Sequence, residues 1–293
     1  MKAAVVAPDG SVTLRRRQPT LVPAGPEALF NRATDFVAEL SALVGGAVTA
    51  VGLSVPGELD ERAGVVRSAV NLGWRNLELT RKAEEKLGIP VALGHDVRLG
   101  GVAEGALGAA RGTEDFLFVP IGTGIAAAVV LGGRPRAGAH SLAGEFGHLV
   151  VQPDGPACTC GGRGCLETMA SAAAIARRYH EQAGASPAVG TAEVEALARA
   201  GDPVAMGVWQ EAISLLGRAF ALAQSLLDVD LIVVGGGLAN AGQRLVGQLQ
   251  AAISPLLPVH VHFRLVLAEL GDEASCLGAA LLARSSPVVG RHR

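Results

Sequence analysis

Three of the four cysteines fall within eight residues, at Cys158, Cys160 and Cys165, with His148 just upstream and the carboxylates Glu145 and Glu167 on either side. Three thiolates and one imidazole suit tetrahedral Zn(II), which matches sulfur and nitrogen donors and imposes no geometry of its own. Cys158 and Cys160 are one residue apart, and the Gly161-Gly162 turn lets the chain bend until Cys165 joins them, with His148 completing the shell. Four protein ligands leave no open coordination position, so the ion is expected to hold a loop rather than activate water. The competing arrangement, a disulfide plus spare thiols, fits poorly with an odd number of clustered cysteines and no secretory signal. Cys276 stands alone in an apolar stretch and reads as a small buried side chain.

A second set of residues suits a phosphorylated ligand. The backbone amides of Gly122, Thr123 and Gly124 can approach phosphate oxygens, because two of the three residues have no β-carbon in the way, and the Thr123 hydroxyl adds a donor. The same tripeptide also makes an ordinary hairpin turn. Gly235-Gly236-Gly237, after a strand-like run, admits either a nucleotide close to the main chain or a tight strand-to-helix turn. Asp96 follows the apolar run Val91-Ala92-Leu93 and precedes a helical pattern, a place that suits an N-cap and equally a general base.

The elements that must position these groups follow from hydrophobic periodicity. Lys2–Ala7 and Ser11–Leu14 read as a hairpin about Pro8-Asp9-Gly10. The spacing predicts helices over Pro26–Leu43, Glu78–Leu87 and Arg98–Ala110, and strands over Ala47–Ser54 and Val91–Leu93. Strands Phe116–Val119 and Ile125–Leu131 follow, then a helix over Glu211–Leu227, a strand over Leu231–Val234 and a last helix from about Glu273 to Ala283, with a frayed tail to Arg293. Helix alternating with strand implies an α/β fold.

Of 293 residues, 49% are hydrophobic and 39 are glycine, which fits two packed α/β domains. A formal charge of -2 argues against a nucleic-acid partner, and no apolar run reaches the length of a membrane span. A cytoplasmic protein is expected, where free thiols persist.

Taken in order, Ser54-Val55-Pro56-Gly57, Asn71-Leu72 with Trp74, Pro90 running into Asp96, Ile121 to Gly124, Gly144-Glu145-Phe146-Gly147-His148, the Cys158–Glu167 segment and Val234 to Gly237 resemble the ROK family of repressors, open reading frames and kinases, particularly its bacterial glucokinases. The cysteine segment is close to a family fingerprint, whereas the glycine loops are generic. The resemblance covers nearly the whole chain. It implies a two-domain actin-like, ribonuclease-H-like fold with the sugar in a cleft: an N-terminal domain over 1–110, a larger domain over 111–272 with the zinc and nucleotide sites, and a C-terminal helix of about 273–284 returning to the first. It also implies that Asp96 is the base, that Asn71, Glu145, His148 and Glu167 hold sugar hydroxyls, that Gly122–Gly124 face the phosphates of ATP with Mg(II), and that Gly235–Gly237 face adenosine. A homodimer is implied as well.

Two departures from the family pattern carry expectations. His95 stands where the family kinases have asparagine; its ring nitrogens differ in position from an amide, so it is expected to adjust sugar choice. The family's D-x-G-G-T phosphate loop and its strand, which precede the position of Met1, do not occur in this sequence. That absence implies a natural start further upstream and impaired activity in the chain as it stands. The expected function is phosphorylation of a hexose, most often glucose at its 6-hydroxyl. The alternatives are a kinase for another hexose or an N-acyl hexosamine, and a non-catalytic sugar-binding or regulatory protein. No helix-turn-helix pattern precedes the hairpin, which sets the regulator lower.

Overall fold

Strands β1 (Lys2–Val6) and β2 (Val12–Arg17) pair antiparallel about a turn in which Gly10 takes a φ of 92° and Asp9 accepts the Ser11 amide at 2.8 Å. This hairpin opens the computed structural model, which describes residues 1–184 and 189–285. Helix α1 (Pro26–Leu43) starts with proline at its first turn and buries Leu29, Phe36 and Leu40, which recur at helical spacing. Strand β3 (Val51–Val55) begins later than the apolar run from Ala47 suggests. A meander of β4 (Glu58–Asp60), β5 (Val65–Ala69) and β6 (Trp74–Leu77) follows. Its strands are too short for alternation to mark them. Helix α2 (Leu79–Leu87) stops at Gly88 with a φ of 70°, and β7 (Val91–His95) then runs parallel to β3, Val51 opposite Val91 through Val55 opposite His95.

Helix α3 runs Asp96–Leu107, earlier at both ends than the predicted Arg98–Ala110. At its start the Asp96 carboxylate accepts the Val97 amide at 2.8 Å. At its end the fully buried Glu104 carboxylate accepts the amides of Ala109 at 2.8 Å, Leu270 at 2.9 Å and Glu269 at 3.3 Å, which draws the chain out of helical register after Leu107. The chain divides into two units within this helix. The first comprises Met1–Ala103, Ala137–Leu142 and the chain from Asp272 onward; the second comprises Glu104–Arg136 and Ala143–Gly271.

The second unit is built on a five-stranded sheet. Strand β8 (Phe116–Pro120) has β9 (Ala128–Leu131) antiparallel on one side, extended by β10 (Arg134–Pro135). Helices α4 (Leu166–Ala170), α5 (Ala172–Ala183), α6 (Thr191–Ala200) and α7 (Pro203–Leu227) come next. Helix α7 starts well before the predicted Glu211, because Asp202 caps it by accepting the Ala205 amide at 2.7 Å and Pro203 fits the first turn. Strand β11 (Leu231–Gly235) lies parallel to β8 on its other side, followed by α8 (Gln243–Ile253) and β12 (Arg264–Leu267), giving the order β10-β9-β8-β11-β12. Leu117, Val119, Ile232 and Val234 of the two central strands pack with Trp209, Leu216 and Phe220 of α7 to form the core. This burial is the main source of the unit's stability.

Helix α9 (Ala274–Ser285) returns to the first unit and lies on β3. A β-carbon on Gly52 would stand 1.8 Å from the Ala279 carbonyl oxygen, and one on Gly278 would stand 1.9 Å from that of Leu99, so the backbones approach through glycine. The predicted frayed tail beyond Ser285 lies outside the described residues. Among the described residues of this unit β1 pairs only with β2, and β3 only with β7. A cavity of about 950 Å³ lies beside both pairs, lined by Ala4, Val6, Phe30, Phe36, Leu53 and Cys276 among others. Cys276 is half-buried there rather than enclosed in a core, and burial pushes its thiol pKa up.

Candidate active site and metal centre

In the first unit the chemistry gathers where β7 passes into α3. Asp96 is the first residue of the helix, its side chain 37% exposed, and its carboxylate sits where the positive end of the helix dipole favours negative charge. His95 Nδ1 lies 3.5 Å from Asp96 Oδ1. The His95 amide donates to Glu61 Oε1 at 2.7 Å, and the buried Arg98 guanidinium donates to the same oxygen. Asn71 is exposed on a single 3-10 turn over Val70–Leu72.

In the second unit the segment from Gly144 to His148 docks beside the chain entering β9. Gly144 O accepts the Ala127 amide at 2.8 Å, and Gly147 donates to Ile125 O at 3.1 Å. A β-carbon on Gly144 would stand 1.9 Å from Ala127 O and one on Gly147 2.2 Å from Ile125 O, so this contact needs glycine twice. Ile125 also donates its amide to Glu167 Oε2 at 2.9 Å. Glu167 is thereby fixed against the Gly122–Gly124 turn, where a β-carbon on Gly124 would meet its carboxylate at 2.4 Å. Glu145 Oε2 stands 3.7 Å from His148 Nε2, with nearly half of its side chain exposed. Glu145, His148 and Glu167 therefore share one neighbourhood, each anchored to the same stretch of backbone.

The metal-ligand set is assembled. His148 Nδ1 is 3.6 Å from Cys158 Sγ, Cys160 Sγ is 3.6 Å from Cys165 Sγ, and all four donor atoms lie within 4.8 Å of one another. Four donors at about 2.3 Å from a tetrahedral ion would be about 3.8 Å apart, so the cluster fits a Cys3His site. All three cysteines are free thiols. Without a cation the cluster is electrostatically unfavourable: burial, together with the neighbouring Cys160 and Cys158, pushes the Cys165 thiol up to about 12. Exposed Cys160 goes the other way, because the Gly162 amide stabilises its thiolate. With Nδ1 turned to the sulfurs, the Nε2 of His148 faces Glu145.

The two glycine turns are neighbours, since β8 and β11 are adjacent parallel strands and each turn follows a strand end. Ile121 donates its amide to Gly235 O at 2.9 Å and accepts the Leu238 amide at 3.0 Å. Gly236, with a φ of 75°, is so close to the Ile121 backbone that a β-carbon would lie 2.5 Å from its oxygen. The Gly122 amide is engaged inside its own turn with Gly124 O at 2.9 Å. Among the described residues the amides of Thr123, Gly124 and Gly237 have no such backbone partner, so these three, and not the amide of Gly122, are the available donors.

Sequence reasoning missed Glu61 and Arg98. Their advance signal was a basic residue two positions after Asp96 in the first turn of α3.

Two α/β units, with glycine turns at adjacent parallel strand ends in one and a carboxylate at a strand-to-helix junction in the other, define the actin-like sugar-kinase class. The chain belongs to the ROK family, whose model matches residues 1–286. It is 32% identical to the glucokinase of Thermotoga maritima over 94% of this chain and 91% of that protein. It is also 32% identical to the N-acetylmannosamine kinase of Escherichia coli O1:K1 over 97% of this chain and 94% of that one. The crystal structure of a ROK glucokinase from Streptomyces griseus in complex with glucose and AMPPNP superposes with a TM-score of 0.82 at 30% identity, covering 97% of this chain and 95% of that one.

Proposed function

We propose that this chain phosphorylates a hexose with ATP and that glucose, at its 6-hydroxyl, is the preferred substrate. The observation that carries the reading is the accessible carboxylate of Asp96 on the first turn of α3, in a chain related over nearly its full length to glucokinases. As the hydroxyl oxygen forms its bond to the γ-phosphorus, Asp96 takes the hydroxyl proton; the bond from that phosphorus to the β,γ-bridging oxygen breaks, and ADP departs with the electron pair. Asn71, His95, Glu145, His148 and Glu167 hold the sugar. The turns at Gly122–Gly124 and Gly235–Gly237 receive the nucleotide, which arrives with Mg(II). Phosphoryl transfer depends chiefly on positioning, and the anchoring of Glu167 and His148 to the backbone of Ile125 and to the cysteine cluster supplies it. Zn(II) is the proposed ion of that cluster. It would keep the loop in shape and orient His148, with no part in the bond changes.

The N-acetylmannosamine kinase relative and His95 favour a second reading, in which an N-acyl hexosamine is the better substrate. A coupled ADP-release assay over a panel of hexoses and hexosamines separates the two. The expected result is turnover with glucose, slowed by the lack of the D-x-G-G-T loop, a further loss of at least about a thousandfold in Asp96→Asn with sugar affinity kept, and altered relative rates across the panel in His95→Asn. Turnover that survives in Asp96→Asn would overturn the role given to that carboxylate.

A further inference from the structure

Arg98 is a buried cation, 4% exposed, in the second position after Asp96. Taking a guanidinium out of water is costly unless it is paired and hydrogen-bonded. Its partner is Glu61, in the turn after β4, whose Oε1 accepts Arg98 Nη2 at 3.1 Å and Nε at 3.3 Å. That same oxygen accepts the His95 amide at 2.7 Å, so one carboxylate atom holds both the last residue of β7 and the first turn of α3. Arg98 reaches on through Nη1 to the Ser141 carbonyl at 3.2 Å, on a residue whose φ is 61°. Asp96 sits between the two clamped positions, and its own carboxylate accepts the Val97 amide at 2.8 Å and lies 3.5 Å from the ring of His95.

We infer that Glu61 and Arg98 are positioning residues for the phosphoryl transfer, fixing His95 and the first turn of α3 so that the Asp96 carboxylate keeps one direction. The inference rests on the reading of Asp96 as the base. A strand end and a helix start are places where backbone groups lack regular partners and fray. A catalytic carboxylate on such a junction needs an external hold, because a misplacement of about 1 Å costs about a hundredfold in rate. A carboxylate shared by a main-chain amide and a buried guanidinium is such a hold, through charge-assisted bonds in a poorly hydrated place. The segment that Arg98 grips, at Ser141, leads within four residues to Glu145.

The test uses Glu61→Gln, which keeps the shape and loses the charge, and the double variant Glu61→Gln/Arg98→Met, which removes the buried cation along with its partner. Expected in both is a fall of about tenfold or more in kcat with sugar KM within about twofold. In amide exchange followed by mass spectrometry or NMR, the His95 amide is expected to exchange at least about tenfold faster than in the unmodified chain. Unchanged kcat in both variants, or a loss of kcat matched by a proportional rise in KM and a general loss of melting cooperativity, overturns the positioning role. Exchange at His95 equal to the unmodified chain overturns it too, whether or not the protein turns over. Protected exchange in an unmodified chain that phosphorylates no sugar on the panel would leave the clamp standing and overturn the kinase reading instead.

Discussion

Gly124 shows how little freedom the Glu167 carboxylate has. Its α-carbon lies so close to Glu167 that a methyl group would meet Oε2 at 2.4 Å, and the same oxygen holds the Ile125 amide. Gly124→Ala is expected to push Glu167 aside, raising sugar KM about tenfold with a smaller change in melting temperature; steady-state kinetics beside a thermal melt would check it. The nearness of Glu167 to the cysteine cluster was legible in the sequence from its place beside Cys165, whereas its bond to Ile125 was not, because that contact spans 42 residues and depends on how two turns meet. His148 was legible as a ligand for the same reason. Glu61 was not, since an isolated glutamate after a three-residue strand carries no local pattern.

Periodicity served the long elements well. The α1 limits, Pro26 and Leu43, coincide with the apolar spacing because nothing outside that helix determines its ends. It failed at α3, whose end is set by a buried carboxylate binding the distant Glu269 and Leu270, and at α7, whose start is set by an aspartate cap outside the apolar pattern. The short meander of β4 to β6 escaped it altogether. The loop from His148 to Cys165 has no regular structure of its own beyond the Val150–Cys165 and Ala157–Arg163 bridges, so the proposed ion would be its cross-link. Closing a loop of this length by a cross-link is worth about 3 kcal/mol. Exhaustive chelation is therefore expected to lower the melting temperature by about 5–10 °C and to weaken sugar binding, with one equivalent of zinc in elemental analysis before treatment and none after. Equal melting with and without chelator would show that the cluster holds no structural ion.

At the scale of the whole molecule, the actin-like class was readable from the order of short motifs, of which the cysteine segment is specific and the glycine loops are generic. The composition of the units was not. Ala137–Leu142 belongs with the first unit although it lies within sequence otherwise assigned to the second, and no compositional change marks it. Among the described residues no helix is long and apolar enough to cross a membrane. The opening hairpin meets the turn before α9 through charge: Lys2 pairs with Asp272 at 2.7 Å, Arg17 with Asp272 at 2.9 Å and Arg15 with Glu273 at 2.8 Å. Lys2, then Arg17, holds the Asp272 carboxyl below its ordinary value. The sign follows: a depressed folded value means stabilisation present above the unfolded value of about 3.9 and lost as the pH falls through the folded one.

Because no ladder bond ties β1 to β3, those exposed ion pairs fasten the opening hairpin to the start of α9, and dissolved electrolyte governs how tightly. The screening distance shrinks from about 8 Å at physiological ionic strength to about 3 Å in molar sodium chloride. Brine should thus loosen the first seventeen residues while the β8–β11 sheet stays closed. A protease titration in rising chloride, read by which end of the polypeptide is trimmed first, would register that selective release; trimming indifferent to chloride would assign the fastening to apolar contact alone.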